Sequence, residues 1–83
     1  MPCSHMISTL LGPDGTRELL MFATGMGLKG AWIQNVSTPT EHFDLLGKGR
    51  IDAAREQGAT EVTMRVLGEH IRAKRVAAKG TKP

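Results

Sequence analysis

The sequence predicts an α/β fold: a small single domain with about three short, mostly parallel strands and two to three helices. Three observations predict it. At 83 residues the chain is one domain, able to bury about 60–65% of its unfolded surface. Its apolar residues switch between a spacing of two and a spacing of three and four. Glycine and proline clusters punctuate the changes. Strands and helices that alternate in this way build a layered sheet with right-handed crossovers.

The opening MPCSHMISTLL reads as extended because Ile7, Thr9 and Leu11 share one side of a period-two pattern, and the GPDG after it reads as a turn. From Thr16 the spacing turns helical. Leu19, Leu20, Ala23 and Met26 or Gly27 form one buried face, Asp14 or Thr16 can cap the start, and Gly25 and Gly27 supply the stop. Residues 31–34, AWIQ, are apolar and β-prone and predict a brief buried strand, with Trp32 in the core and Gln34 a polar residue at the strand edge. NVSTPT is a loop by composition, and Glu41 to Leu45 is a second extended piece. A second helix is expected from about Lys48 to Gln57, with Ile51 and Ala54 inward and Gly58 ending it. Thr60, Val62 and Met64 alternate with Glu61 and Thr63, the pattern of a strand with one wet face. The last stretch places Val66, Leu67 and Ile71 on a helical stripe, which Gly68 weakens by up to about 1 kcal/mol. Residues 1–70 are thus expected to be the compact domain, and residues 71–83 a basic, partly flexible tail.

Composition narrows the function classes. Hydrophobic residues make up 40% and charged residues 23% of the chain, which argues against wholesale disorder. Only Trp32, Phe22 and Phe43 are aromatic, so the core must be aliphatic. A core this small and a sheet with open edges favour a homodimer. The single Cys3 allows neither an internal disulfide nor a cysteine-rich zinc site, and it is expected to be inert in a reducing, cytoplasmic setting. No apolar run approaches the roughly 20 residues that span a bilayer, and the N-terminus lacks a signal-peptide pattern, so no membrane partner is expected. The net charge of +3 is uneven: residues 65–83 carry +5 and residues 1–64 carry −2. Arg72, Lys74, Arg75 and Lys79 in the basic stretch are therefore candidate contacts to nucleic acid or to an acidic protein surface.

The candidate site is EHFDLLGKGR, residues 41–50. If Glu41 to Leu45 is extended, His42 and Asp44 project to one face while Phe43 anchors the other. The pair could supply two metal ligands, with His5 or Glu41 available as a third. It could also serve proton transfer, the carboxylate orienting the imidazole. Gly47, Lys48, Gly49 and Arg50 lead into the second helix, where free backbone N–H groups and two basic side chains favour an anion such as phosphate. The spacing is not that of a P-loop, which has four residues between its glycines and a serine or threonine after its lysine. Read in isolation, a His-x-Asp pair is also a histidine that merely hydrogen-bonds its neighbour, and GKG is also a flexible turn. The residue pattern names neither a cofactor nor a particular metal.

SHMIS, ELLMFATGMGLKGAWIQ, EHFDL and AAREQGATEVTMRVL, spread in order over residues 4–67, resemble a small family found in bacteria and their phages, the domain of unknown function 4031. The resemblance implies a clustered polar site at His5, Gln34, His42, Asp44 and Arg50. Family members usually begin with an additional strand ending in paired aspartates, which has no counterpart before Cys3, and the GKG step and basic tail are further departures. If those aspartates complete a metal or catalytic site in the family, the resemblance implies an incomplete version here, retained for binding rather than chemistry.

Two functions of different class follow. The first is a small binding or regulatory protein that contacts nucleic acid or an acidic protein surface through its basic C-terminal end. The second is a small enzyme or ligand-binding domain for a phosphorylated or nucleotide-like molecule. In it His42, Asp44 and His5 are the catalytic or metal-binding residues, and Gln34, Lys48, Gly49 and Arg50 hold the ligand.

Overall fold

The computed structural model describes residues 3–80, with side chains from residue 4 to residue 78. The order is β1 (Cys3–Met6), α1 (Gly12–Gly25), a single 3₁₀ turn (Gly30–Trp32), β2 (Phe43–Leu46), α2 (Lys48–Glu56) and α3 (Met64–Gly80). The fold is a small domain of three helices on a two-stranded sheet. Two strands form among the described residues, not three, and they pair antiparallel rather than parallel, with Cys3 opposite Leu46, Ser4 opposite Leu45, His5 opposite Asp44 and Met6 opposite Phe43.

Both departures have physical causes in the chain's course after α1. Between α1 and β2 the chain makes a reversal that the loop composition of NVSTPT does not announce. Asn35 and Ser37 take positive φ (54° and 64°), and the Thr38 and Glu41 N–H groups donate to the Asn35 and Thr38 carbonyls (3.1 Å each). This extra traverse brings the chain back in the opposite direction, so β2 meets β1 antiparallel. The expected AWIQ strand winds instead into the 3₁₀ turn, where the Trp32 N–H donates to the Lys29 carbonyl (3.0 Å). Only Gln34 keeps extended pairing, in one antiparallel bridge with His42 (2.9 and 3.0 Å). Trp32 is consequently 45% exposed rather than core. The alternating Thr60 to Met64 stretch finds no strand to join. Val62 and Met64 stay exposed, and the Thr63 hydroxyl accepts from the Val66 N–H (3.3 Å) as α3 begins. A hydroxyl that can satisfy a free helical N–H is a start signal, and here it outweighs the period-two pattern.

The core forms where the expected faces meet. Met6, Leu19, Ala23, Leu28, Phe43, Leu45 and Ala54 pack together, with Ile33, Ile51 and Met26 at the margin. Phe43 and Leu45 point inward from β2 while Asp44 and Leu46 do not, so the strand's alternation sets one apolar and one functional face. α1 starts earlier than the spacing predicts, at Gly12, with Pro13 in its first turn and no side-chain cap. Thr16, an expected cap, serves elsewhere: its hydroxyl donates to the buried Glu41 carboxylate (2.7 Å), which also accepts from the Ser37 N–H (2.9 Å). This carboxylate fastens the reversal to α1 just ahead of β2. Gly15 permits a separate close approach, that of the Leu10 backbone to α1, since a Cβ there would stand 2.3 Å from the Leu10 carbonyl oxygen. α3 runs unbroken past residue 70, burying Leu67 and Lys74. No helix among the described residues is long and apolar enough to cross a membrane.

Candidate metal centre

The antiparallel register places His5 directly opposite Asp44, and cross-strand neighbours on one face lie close enough for their side chains to meet. His42 joins them from the same face of the chain, two residues before Asp44. His5 Nε2 and His42 Nε2 each stand 3.3 Å from Asp44 Oδ1. The three donor atoms lie within 4.8 Å of one another, and the two imidazoles are tilted 34° with centroids 4.8 Å apart.

The hydrogen bonds around this trio determine its chemistry. His42 Nδ1 lies 2.8 Å from the Thr40 carbonyl oxygen. A carbonyl only accepts, so Nδ1 carries the proton and, in the neutral ring, Nε2 presents a bare lone pair. That lone pair faces Asp44 Oδ1, a buried oxygen with no hydrogen-bond partner among the described residues. In that neutral state two acceptors 3.3 Å apart repel unless a proton or a metal ion lies between them. The other carboxylate oxygen, Oδ2, accepts from Gln34 Nε2 (2.5 Å), so the carboxylate is held with Oδ1 turned toward the imidazoles. A carbonyl on the far nitrogen of a histidine and an amide on the far oxygen of a carboxylate are the outer contacts that orient metal ligands. The spacing also suits a metal: bonds of about 2.0–2.2 Å in tetrahedral array put neighbouring donors roughly 3.4 Å apart. The side chains are graded in exposure, from 16% for His42 through 32% for Asp44 to 43% for His5, so the cluster opens to solvent on the His5 side.

The family model described as a protein of unknown function, DUF4031, matches residues 1–74. The chain belongs to the DUF4031 family. No curated protein and no solved structure matches it. Within this DUF4031 domain the match spans every residue of the cluster, from His5 in β1 to Asp44 in β2.

The remaining candidate residues fall into three places. Glu41, the other available third ligand, has its carboxylate engaged by Thr16 and Ser37, which leaves that position to His5. Lys48, Gly49 and Arg50 form the first turn of α2, entered through Gly47 at φ 91° with no side-chain cap. The Arg50 guanidinium lies 5.3 Å from the Trp32 ring centroid, with Lys29 Nζ 5.7 Å from the same ring. On α3, Arg72 and Arg75 are exposed, whereas Lys74 is 8% exposed and lines a hollow of about 710 Å³ with Thr16, Arg17 and Glu41. The side chain of Lys79 and that of Cys3 lie outside the described residues.

Sequence reasoning missed Thr40 and Lys29. Thr40 acts through its backbone carbonyl, which leaves no mark in the side-chain pattern. Lys29 meets Trp32 only because the chain winds into a 3₁₀ turn there.

Proposed function

We propose that this DUF4031 protein binds a divalent transition metal of the zinc class through His5 Nε2, His42 Nε2 and Asp44 Oδ1. One observation carries the reading: His42 Nε2 and Asp44 Oδ1, an oxygen with no hydrogen-bond partner among the described residues, face one another at 3.3 Å, each held from behind by an outer contact. Three protein ligands leave a coordination position open, the arrangement by which zinc centres polarise water or a ligand oxygen. Access from the His5 side supports such a ligand, and the basic first turn of α2 after β2 supports an anionic one.

The experiment is a titration with Zn²⁺ followed by histidine-ring NMR and calorimetry. His5 and His42 shift together at one equivalent, while His70, the third histidine, stays in place as an internal control. Affinity falls as the solution is acidified, because both imidazoles must be unprotonated to act as ligands. Co²⁺ substitution reads the coordination number from its visible absorption. If Zn²⁺, Co²⁺, Mn²⁺ and Fe²⁺ all leave the two rings unmoved, the trio is a proton-sharing structural cluster.

A second reading rests on α3, where Arg72 and Arg75 are exposed and paired with no carboxylate among the described residues. As a binding protein, the chain would use this helix on nucleic acid. For duplex DNA each neutralised phosphate contributes about −0.9 to the slope of log affinity against log salt. Replacing both arginines by glutamine should flatten that slope by about 1.8. Absence of association at low salt would remove this reading.

A further inference from the structure

Trp32 is the chain's single tryptophan, and at 45% exposure it does not belong to the core. Lys29 and Arg50 stand over its ring at 5.7 and 5.3 Å. Neither cation has a carboxylate within ion-pair distance among the described residues, although six such pairs form elsewhere. Two cations gathered on one exposed indole, and left without a counter-charge, make a surface with a flat π face and a local positive field. Cation–π attraction holds the two charges there, and no carboxylate among the described residues pairs with either of them.

We propose that Lys29, Trp32 and Arg50 form a nucleotide-binding surface, in which a base stacks on the indole or on the Arg50 guanidinium while the two cations contact its phosphate. A nucleotide carries a flat π system and a phosphate a few ångströms apart, the combination that this surface complements. An inorganic anion would leave the aromatic face unused, and an acidic peptide offers no plane to stack. Aromatic and arginine side chains along a positive groove bind single-stranded nucleic acid in this way.

The chain links this surface to the proposed metal centre by short segments. Trp32 precedes Gln34 by two residues, a backbone span of at most about 7 Å, and Gln34 donates to Asp44. Arg50 follows Asp44 by six residues, in the first turn of α2. The proposal extends to the metal: a nucleotide held on this surface supplies a phosphate as the ligand of the position left open by His5, His42 and Asp44. That clause, which names the metal's ligand as a nucleotide phosphate, rests on the metal reading; the binding surface itself does not.

Trp32 fluorescence supplies the probe. Titrations with AMP and with a single-stranded dT hexamer should both quench it, while inorganic phosphate leaves it unchanged. Anisotropy of a fluorescein-labelled hexamer then tests the residues. Trp32→Ala weakens binding roughly ten- to a hundredfold, the size of one lost base stack. Arg50→Gln flattens the salt slope by about 0.7, one phosphate contact on a single strand. All three side chains are on the surface, and circular dichroism verifies that the variants fold. Quenching by AMP without hexamer binding upholds the inference and names a free nucleotide as the source. No quenching by either, or hexamer binding indifferent to both substitutions, overturns it. The same titrations are run in chelator and with one equivalent of Zn²⁺. Tighter binding with Zn²⁺, lost in Asp44→Asn, places the phosphate at the metal. Equal binding in both conditions, with Zn²⁺ still shifting His5 and His42, overturns the metal-ligand clause alone.

Discussion

Asp44→Asn should abolish the stabilisation that Zn²⁺ confers while leaving the metal-free protein about as stable as the parent. The two halves of this result have one cause. In the parent, Asp44 Oδ1 faces His42 Nε2 at 3.3 Å without a hydrogen bond, and in the neutral ring that nitrogen is an acceptor because Nδ1 donates to the Thr40 carbonyl. An asparagine amide can satisfy both of its neighbours. However, its oxygen must stay toward the Gln34 amide that donates to position Oδ2, which turns its NH₂ toward His42. The former clash of acceptors becomes a hydrogen bond, and a net gain of about 1 kcal/mol offsets the lost charge. The same NH₂ cannot ligate a metal. A metal that binds only the folded chain adds about 2.7 kcal/mol at a hundredfold excess over its dissociation constant. In a domain of this size that corresponds to a rise in Tm of about 10–20 °C, seen in the parent and missing in the variant. Thermal melts with and without Zn²⁺ measure both quantities. A variant that loses stability in chelator, yet keeps its response to Zn²⁺, would show that Asp44 is a structural counter-charge and no ligand.

The face of β2 that carries this chemistry is legible in the sequence, because side-chain alternation is a property of the extended backbone alone. Once residues 42–45 are extended, Phe43 and Leu45 must go one way and His42 and Asp44 the other, as they do. The start of α2 is legible for a similar reason: Gly47 supplies the positive φ that the turn requires. Strand direction is a different kind of fact. It depends on how many times the connection crosses the sheet, and the reversal at 35–41 is built by two non-glycine residues at positive φ and by a buried carboxylate reaching back to α1. Their partners lie up to 25 residues away, so no local pattern contains them. The antiparallel register that follows brings His5 opposite Asp44. Sequence offered His5 and Glu41 as alternative third ligands because only pairing across the sheet distinguishes them.

Phe43→Ala carries the other large effect, and it ties the cluster to the core. Phe43 is 1% exposed, sits between His42 and Asp44, and is the cross-strand partner of Met6. Truncating a buried phenylalanine costs about 3–5 kcal/mol, against a total stability of about 4–12 kcal/mol for a chain of this length. Metal-free Phe43→Ala should therefore lose about a quarter or more of the parental stability at 25 °C, its urea midpoint falling in proportion, and at the low end of that stability range it stands close to its midpoint without denaturant. Phe43→Leu retains most of the volume and should cost less than about 1.5 kcal/mol. Zn²⁺ separates a core defect from a site defect. If the cluster lacks only its support, excess metal restabilises Phe43→Ala by linkage, recovering up to about 2.7 kcal/mol at a hundredfold excess at a visibly weaker apparent affinity. Urea denaturation of both variants in chelator and in Zn²⁺ gives the four numbers required. Near-parental stability of metal-free Phe43→Ala would mean that the alternation of β2 does not anchor the sheet, and that the facing of His42 and Asp44 has another origin.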